Sequence, residues 1–143
     1  MSNEYSRYLG IDYGSVRIGL SVSDPLKIIA QGFKTIRNTE KAIDEIIAVI
    51  AEQDIERIIL GNPLNLKGEM STKAEEVREF AKKLQVRTGK EIIMLDERFT
   101  SVMAQRAIIS MGTKKSQRQN NKGKVDEVAA AILLQGYLDT QRR

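Results

Sequence analysis

Tyr8-Leu9-Gly10-Ile11-Asp12, a turn at Tyr13-Gly14-Ser15, and Arg17-Ile18-Gly19-Leu20-Ser21-Val22-Ser23 form the stretch that decides the fold. Leu9 and Ile11 share one face of an extended segment, and Gly10 and Asp12 share the other. After the turn, Ile18, Leu20 and Val22 alternate with Arg17, Gly19, Ser21 and Ser23. Period-two alternation on both sides of a glycine turn reads as a β-hairpin with one face committed to a core. Asp24-Pro25 interrupts it, and Ile28 to Ile36 reads as a third strand completing a meander.

Beyond this meander the period changes. Asn38 or Thr39 caps a helix in which Ile43, Ile46, Ile47 and Ile50 recur at helical spacing. Ile55 to Leu60 is a short buried strand ending at Gly61-Asn62-Pro63. Thr72 and Glu75 form a capping box for a helix with Val77, Phe80, Ala81 and Leu84 on one stripe, and Gly89 suits its C-terminal cap. Ile92 to Leu95 is a further strand ending in Asp96-Glu97. Thr100 or Ser101 starts a helix carrying Ala104, Ala107, Ile108 and Met111, and Gly112 stops it. From Thr113 to Lys124 there are Lys114, Lys115, Arg118, Lys122 and Lys124, no acidic residue and no apolar period, the pattern of a basic surface loop. A last helix runs from about Val125 to Leu138. The order predicts an α/β fold, a mixed five-stranded sheet flanked by helices, in a single domain over residues 1–143.

Composition narrows the chemistry. The 143 residues are 41% hydrophobic and 29% charged, with net charge +4, the balance of a folded globular chain. The longest apolar run, Val128 to Leu134, is far too short to span a bilayer. Met1 to Tyr8 is polar and reads as no signal peptide, so the expected location is the cytoplasm, away from membranes. The chain has no cysteine and no histidine. Thiolate nucleophiles, imidazole bases and Cys- or His-ligated metals are therefore excluded. Catalysis falls to carboxylates, Lys, Arg, hydroxyls or a bound ion, and carboxylate sites suit Mg2+ or Mn2+. The excess of positive charge favours a polyanionic partner.

Asp12 ends the first strand, Asp96-Glu97 ends the last, and Asp126 opens the final helix directly after the basic loop. Ligands of open α/β sheets gather beyond the strand ends. Three carboxylates massed there without counter-charges would repel, which implies divalent cations. Each residue alone has an ordinary role. Asp12 with Gly14 shapes a turn, Asp126 complements a helix dipole, Glu97 pairs with Arg98, and the lysine-rich segment is a solvated connection. Only the conjunction of strand ends, helix start and basic loop points to catalysis. Neighbours on a strand face opposite ways, so one of Asp96 and Glu97 faces the site, and spacing leaves open which.

The residues Gly10-Ile11-Asp12-Tyr13-Gly14-Ser15-Val16-Arg17-Ile18-Gly19 and the loop Gly61-Asn62-Pro63-Leu64-Asn65-Leu66-Lys67-Gly68 make a specific resemblance. So do Asp96-Glu97-Arg98-Phe99-Thr100-Ser101 and Asn121-Lys122-Gly123-Lys124-Val125-Asp126, followed by Ala129-Ala130 and Ile132-Leu133-Leu134-Gln135. In this order, covering nearly the whole chain, they resemble the YqgF/RuvX family, described as Holliday-junction-resolvase-like proteins or pre-16S rRNA nucleases. The resemblance implies an RNase H-like fold, with Asp12, Glu97 and Asp126 matching the family's acidic, metal-holding site and Asp96 a structural neighbour. Arg17 and Asn65, with Lys122 and Lys124, match positions expected to meet nucleic acid.

The resemblance therefore implies a metal-dependent endonuclease that matures the 5′ end of 16S rRNA, acting on a structured rRNA precursor or on ribosomal assembly intermediates. A Holliday-junction resolvase acting on branched DNA would use the same chemistry. A non-catalytic RNA-binding ribosome-assembly factor is a lower alternative. Sugar kinases and actin-like ATPases share the Asp-x-Gly hairpin but need two such domains around a nucleotide, and 143 residues supply one. With three Phe, four Tyr and no Trp, recognition is expected to rest on backbone and shape.

Overall fold

The computed structural model describes residues 5–64, 67–68, 70–97 and 122–141. Five strands carry the fold: β1 (Arg7–Tyr13), β2 (Arg17–Ser23), β3 (Ala30–Arg37), β4 (Ile55–Asn62) and β5 (Glu91–Asp96). Three helices accompany them: α1 (Ala42–Gln53), α2 (Thr72–Thr88) and α3 (Lys122–Thr140). The sheet order is β3-β2-β1-β4-β5. The meander pairs β1 with β2 and β2 with β3 antiparallel, whereas β4 lies parallel to β1 and β5 parallel to β4. The mixed five-stranded sheet is thus the one the hairpin and the later βα alternation require.

Each strand's alternation sorts its side chains between two helical layers. Leu9, Ile11, Ile18, Leu20, Ile58 and Leu60 are fully buried against Ile46 and Val49 of α1 and Val77, Phe80 and Leu84 of α2. On the other face, Leu134, Tyr137 and Leu138 of α3 cover Ile59, and Leu133 packs near Leu95. Burying each large aliphatic side chain contributes roughly 1.5–3 kcal/mol, so the α1/α2 face carries most of the stabilisation.

Helix starts differ from the sequence reading by one to three residues, for identifiable reasons. The N-cap of α1 is Lys41, without a side-chain cap. The Asn38 side chain instead donates to the Gly14 carbonyl at 2.8 Å, and Thr39 Oγ1 accepts from Lys41 N at 3.2 Å, two residues too early to cap. For α2 the cap is Ser71, whose hydroxyl accepts from Ala74 N at 3.2 Å, rather than Thr72. Serine is the better N-cap of the two adjacent hydroxyls. Gly89 closes α2 in the left-handed region at φ 67°, as its position suggested. The final helix begins at Lys122 instead of Val125, so Lys124 belongs to helix and Asp126 lies in its second turn. The apolar period starts only at Val125, whereas the helical backbone extends one polar turn further, to Lys122. The helix expected from Thr100 or Ser101, and the basic segment up to Asn121, lie outside the described residues.

Candidate active site

Asp12 stands near the C-terminal end of the central strand, directly opposite Gly19 of β2. On its other side, the β1–β4 pairing runs through Ile11 and Leu60, so Gly61 is the next residue of the adjacent strand. Asp12 is therefore flanked by two residues with no side chain. A Cβ at Gly19 would run into the main-chain carbonyl of Asp126. A Cβ at Gly61 would lie 2.6 Å from Glu97 Oε1 and 3.2 Å from Leu133 Cδ1. The glycines let α3 press onto β2 at Asp126 and let the Glu97 carboxylate fold back over β4.

Burial agrees with this convergence: Asp12 is 5% and Glu97 6% exposed. Asp96, placed opposite Asn62 in the ladder, is less buried. Of the two adjacent acids it is Glu97 that turns toward α3. Asp126 belongs to the stripe that Ala130, Leu133 and Tyr137 continue along α3, the last three buried against the sheet and Asp126 partly exposed. The register of α3 is pinned by three hydrogen bonds. Ser21 Oγ donates to the Ala130 carbonyl at 2.8 Å, Gln135 Oε1 accepts from Ala30 N at 2.9 Å, and Gln135 Nε2 donates to the Ile28 carbonyl at 2.9 Å.

The expectation of three carboxylates without counter-charge is corrected at Asp126. Arg17 Nε lies 2.8 Å from Asp126 Oδ2, with the two side chains 35% and 21% exposed. Arg17 is thus turned onto an acid of the site. Lys124 is exposed two residues before Asp126. Asn65 and the Lys122 side chain lie outside the described residues. Gly19 and Gly61 were not singled out from sequence. The signal for Gly19 was present in the alternation, since Gly10, Asp12, Gly19 and Ser21 all fall on the face opposite the aliphatic core.

The donor chemistry fits a hard divalent cation. Asp12 and Glu97 offer oxygen ligands, the Gly61 cradle makes room for one of them, and the chain has no thiolate or imidazole to favour a softer metal. Among the described residues, no set of three carboxylates stands ready to hold an ion, and Arg17 holds the third candidate. A cleft of about 740 Å3 lined by Tyr13, Ile43, Glu79 and Phe80 lies on the opposite, α1/α2 side. That cleft also carries Lys82, Lys83 and Arg87 but none of Asp12, Glu97 and Asp126, so the carboxylate end of the sheet is the better candidate for phosphodiester chemistry.

The architecture resembles that of two solved resolvases. Thermus thermophilus RuvC in complex with a Holliday junction superposes with a TM-score of 0.58 at 13% identity, covering 96% of each chain. Fowlpox virus resolvase with its junction DNA gives 0.57 at 12% identity, covering 96% of this chain and 99% of that one. Such likeness establishes an RNase H-like fold. In sequence, the RuvX family, described as Holliday junction resolvase, matches residues 6–140, and the chain belongs to that family. Relatives provisionally named pre-16S rRNA nuclease include one from Bacteroides fragilis, 41% identical over 138 residues, covering 96% of this chain and 99% of the relative. Another, from Desulfitobacterium hafniense, is 35% identical over 137 residues, covering 96% and 94%.

Proposed function

We propose that this chain is a metal-dependent endonuclease that processes the 5′ end of pre-16S rRNA during ribosome maturation, in the cytoplasm. The observation that carries the reading is the pair of buried acids, Asp12 and Glu97, brought to one end of the sheet under the helix that bears Asp126. Near-full-length relatives carrying that nuclease name support the choice of substrate. Among the described residues, no helix is long and apolar enough to cross a membrane.

Asp12 and Glu97, joined by Asp126, would hold Mg2+ or Mn2+. A bound divalent ion lowers the pKa of water and neutralises charge developing on a phosphodiester. The protein's own contribution is positional. Gly19 and Gly61 set the spacing of the acids, α3 closes one side of the site, and Lys124 with Lys122 offers cations to the nucleic-acid backbone. Arg17 lies at the edge of the site, and Asn65, outside the described residues, is a further candidate for contact with nucleic acid. The substrate is a structured rRNA precursor, free or within a ribosomal assembly intermediate.

The family description favours a second reading, cleavage of branched DNA. End-labelled precursor rRNA and a four-way DNA junction, offered at equal salt with Mg2+ to wild type and to Asp12→Asn, separate the two. Site-specific cleavage of the RNA by wild type alone is the expected result. Cleavage of the junction alone would replace the rRNA assignment. Tight RNA binding without cleavage in either Mg2+ or Mn2+ would make the protein a non-catalytic assembly factor.

A further inference from the structure

Arg17 opens β2 and holds Asp126 at 2.8 Å. Directly across the β2–β3 ladder from Arg17 stands a second arginine, Arg37, exposed and outside every ion pair among the described residues. Like charges placed opposite one another on a sheet are mutually destabilising. Here the Asp126 carboxylate is paired to Arg17, and Arg37 across the ladder has no ion-pair partner among the described residues. A second guanidinium therefore stands on the strand beside the one that holds Asp126. The tie itself is weak, because both partners are partly exposed and such pairs are screened by water and salt. A phosphodiester, by contrast, matches the planar guanidinium fork through two oxygens and can engage both arginines.

We propose that Arg17 is a latch on Asp126 that the substrate itself releases. A backbone phosphate takes the Arg17 guanidinium, with Arg37 beside it, and Asp126 turns free to join Asp12 and Glu97 around the divalent cation. No bond is made or broken in this exchange; one ion pair replaces another. The inference rests on reading the site as a metal centre, and it adds that nucleic acid and metal bind cooperatively. By linkage each ligand tightens the other by the same factor. The protein would thus complete its metal site only with nucleic acid in place, which suppresses stray hydrolysis.

Titration calorimetry with Mn2+ tests this without any cleavage. The titrations use metal-stripped protein, alone and saturated with a cleavage-resistant phosphorothioate RNA duplex whose own Mn2+ uptake is subtracted. Wild type should bind Mn2+ about five-fold tighter with RNA present, within the usual range of coupling between sites. Arg17→Gln, which opens the latch, should bind Mn2+ about five-fold tighter than wild type with no RNA, and gain little more when RNA is added. If Arg17 instead orients Asp126 for the metal, Arg17→Gln binds Mn2+ more weakly, and the latch is overturned. Asp126→Asn gives a second route should Arg17→Gln fold poorly. It should retain Mn2+ binding through Asp12 and Glu97 and lose the RNA effect, and coupling that survives this change also overturns the proposal. Wild type that binds Mn2+ equally with and without RNA removes the latch alone. Wild type that binds no Mn2+ in either state removes the metal-centre reading and the latch with it.

Discussion

The two faces of the sheet are built from the same strands and answer to different demands. Toward α1 and α2, β1 and β2 present Leu9, Ile11, Ile18 and Leu20, all fully buried. Toward α3 the same strands present Gly10, Asp12, Gly19 and Ser21. One face maximises apolar area; the other gives up area so that a helix backbone, a carboxylate and a hydrogen-bonded serine fit close to the strands. A sheet buried on both sides would gain stability from aliphatic side chains on the second face as well. Their replacement by Gly10, Asp12, Gly19 and Ser21 is a departure from the folding optimum, and such departures concentrate at functional sites.

The largest effect should come from Asp12→Asn. The substitution keeps the side-chain shape and removes a charge that would hold the metal, so cleavage should fall by at least about a thousand-fold, near 4 kcal/mol of barrier. Because clustered carboxylates repel, the metal-free variant should melt no lower than wild type, and the rise in melting temperature caused by Mg2+ should shrink. An Asp12→Asn protein that melts lower yet still cuts would return Asp12 to the role of a turn residue.

Ile11→Ala reverses that signature one residue away. Ile11 is fully buried on the α1/α2 face, and truncation there should cost about 2–5 kcal/mol of stability, read as a drop in the urea midpoint. Cleavage per folded molecule should hold at low temperature. Gly19→Ala sits between the two. Its added methyl meets the main chain of Asp126, which is backbone and cannot swing aside. Overpacking of this kind costs about 1–3 kcal/mol, and α3 must shift at Asp126 to relieve it. Activity should therefore fall out of proportion to stability, in the direction of Asp12→Asn. Equal, modest losses in both would show that α3 adjusts freely and that the two faces differ less than their composition suggests.

What the sequence disclosed follows the range of the interactions. Alternation in β1 and β2 is a local property, so the hairpin, its core face and the placement of Asp12 at a strand end were all legible. The α1 cap was misread because Asn38 is used by Gly14, 24 residues earlier, and no local pattern reports such a bond. The start of α3 was missed because its first turn, Lys122-Gly123-Lys124, is polar and carries no apolar period. The choice of Glu97 over Asp96 depends on a bare Gly61 one strand away, and in sequence only the family resemblance favoured it. The Arg17–Asp126 pair joins residues 109 positions apart. Arg17 was read as a nucleic-acid contact from its motif, and its tie to an acid of the site emerges only when α3 is laid across β2.

The smallest expected effect contrasts two aspartates at strand ends. Asp24 closes β2 as Asp12 nears the end of β1, but its carboxylate is spent on backbone: Oδ1 accepts from Ile28 N at 2.7 Å and Ile29 N at 2.8 Å, and Oδ2 from Leu26 N at 3.2 Å. Burial pushes this carboxyl upward, but the N–H groups of Ile29, Ile28 and Leu26 together outweigh it and hold it below its ordinary value of 3.8. A carboxyl depressed in the folded state stabilises the fold above its unfolded pKa, and that contribution fades as pH falls through the folded value. Asp24→Asn keeps one acceptor oxygen and loses the charge, so at pH 7 it should lower stability by less than about 1 kcal/mol, as befits a mostly solvated group. The gap to wild type should begin to narrow as the pH drops below about 4, where the unfolded carboxyl takes up its proton, and close further as the folded carboxyl follows at lower pH. Urea melts of both proteins at pH 7 and pH 3 measure it. A gap that stays constant across that range would mean the turn is held by its backbone hydrogen bond from Asp24 N to the Ile29 carbonyl, at 3.1 Å, and owes nothing to the charge.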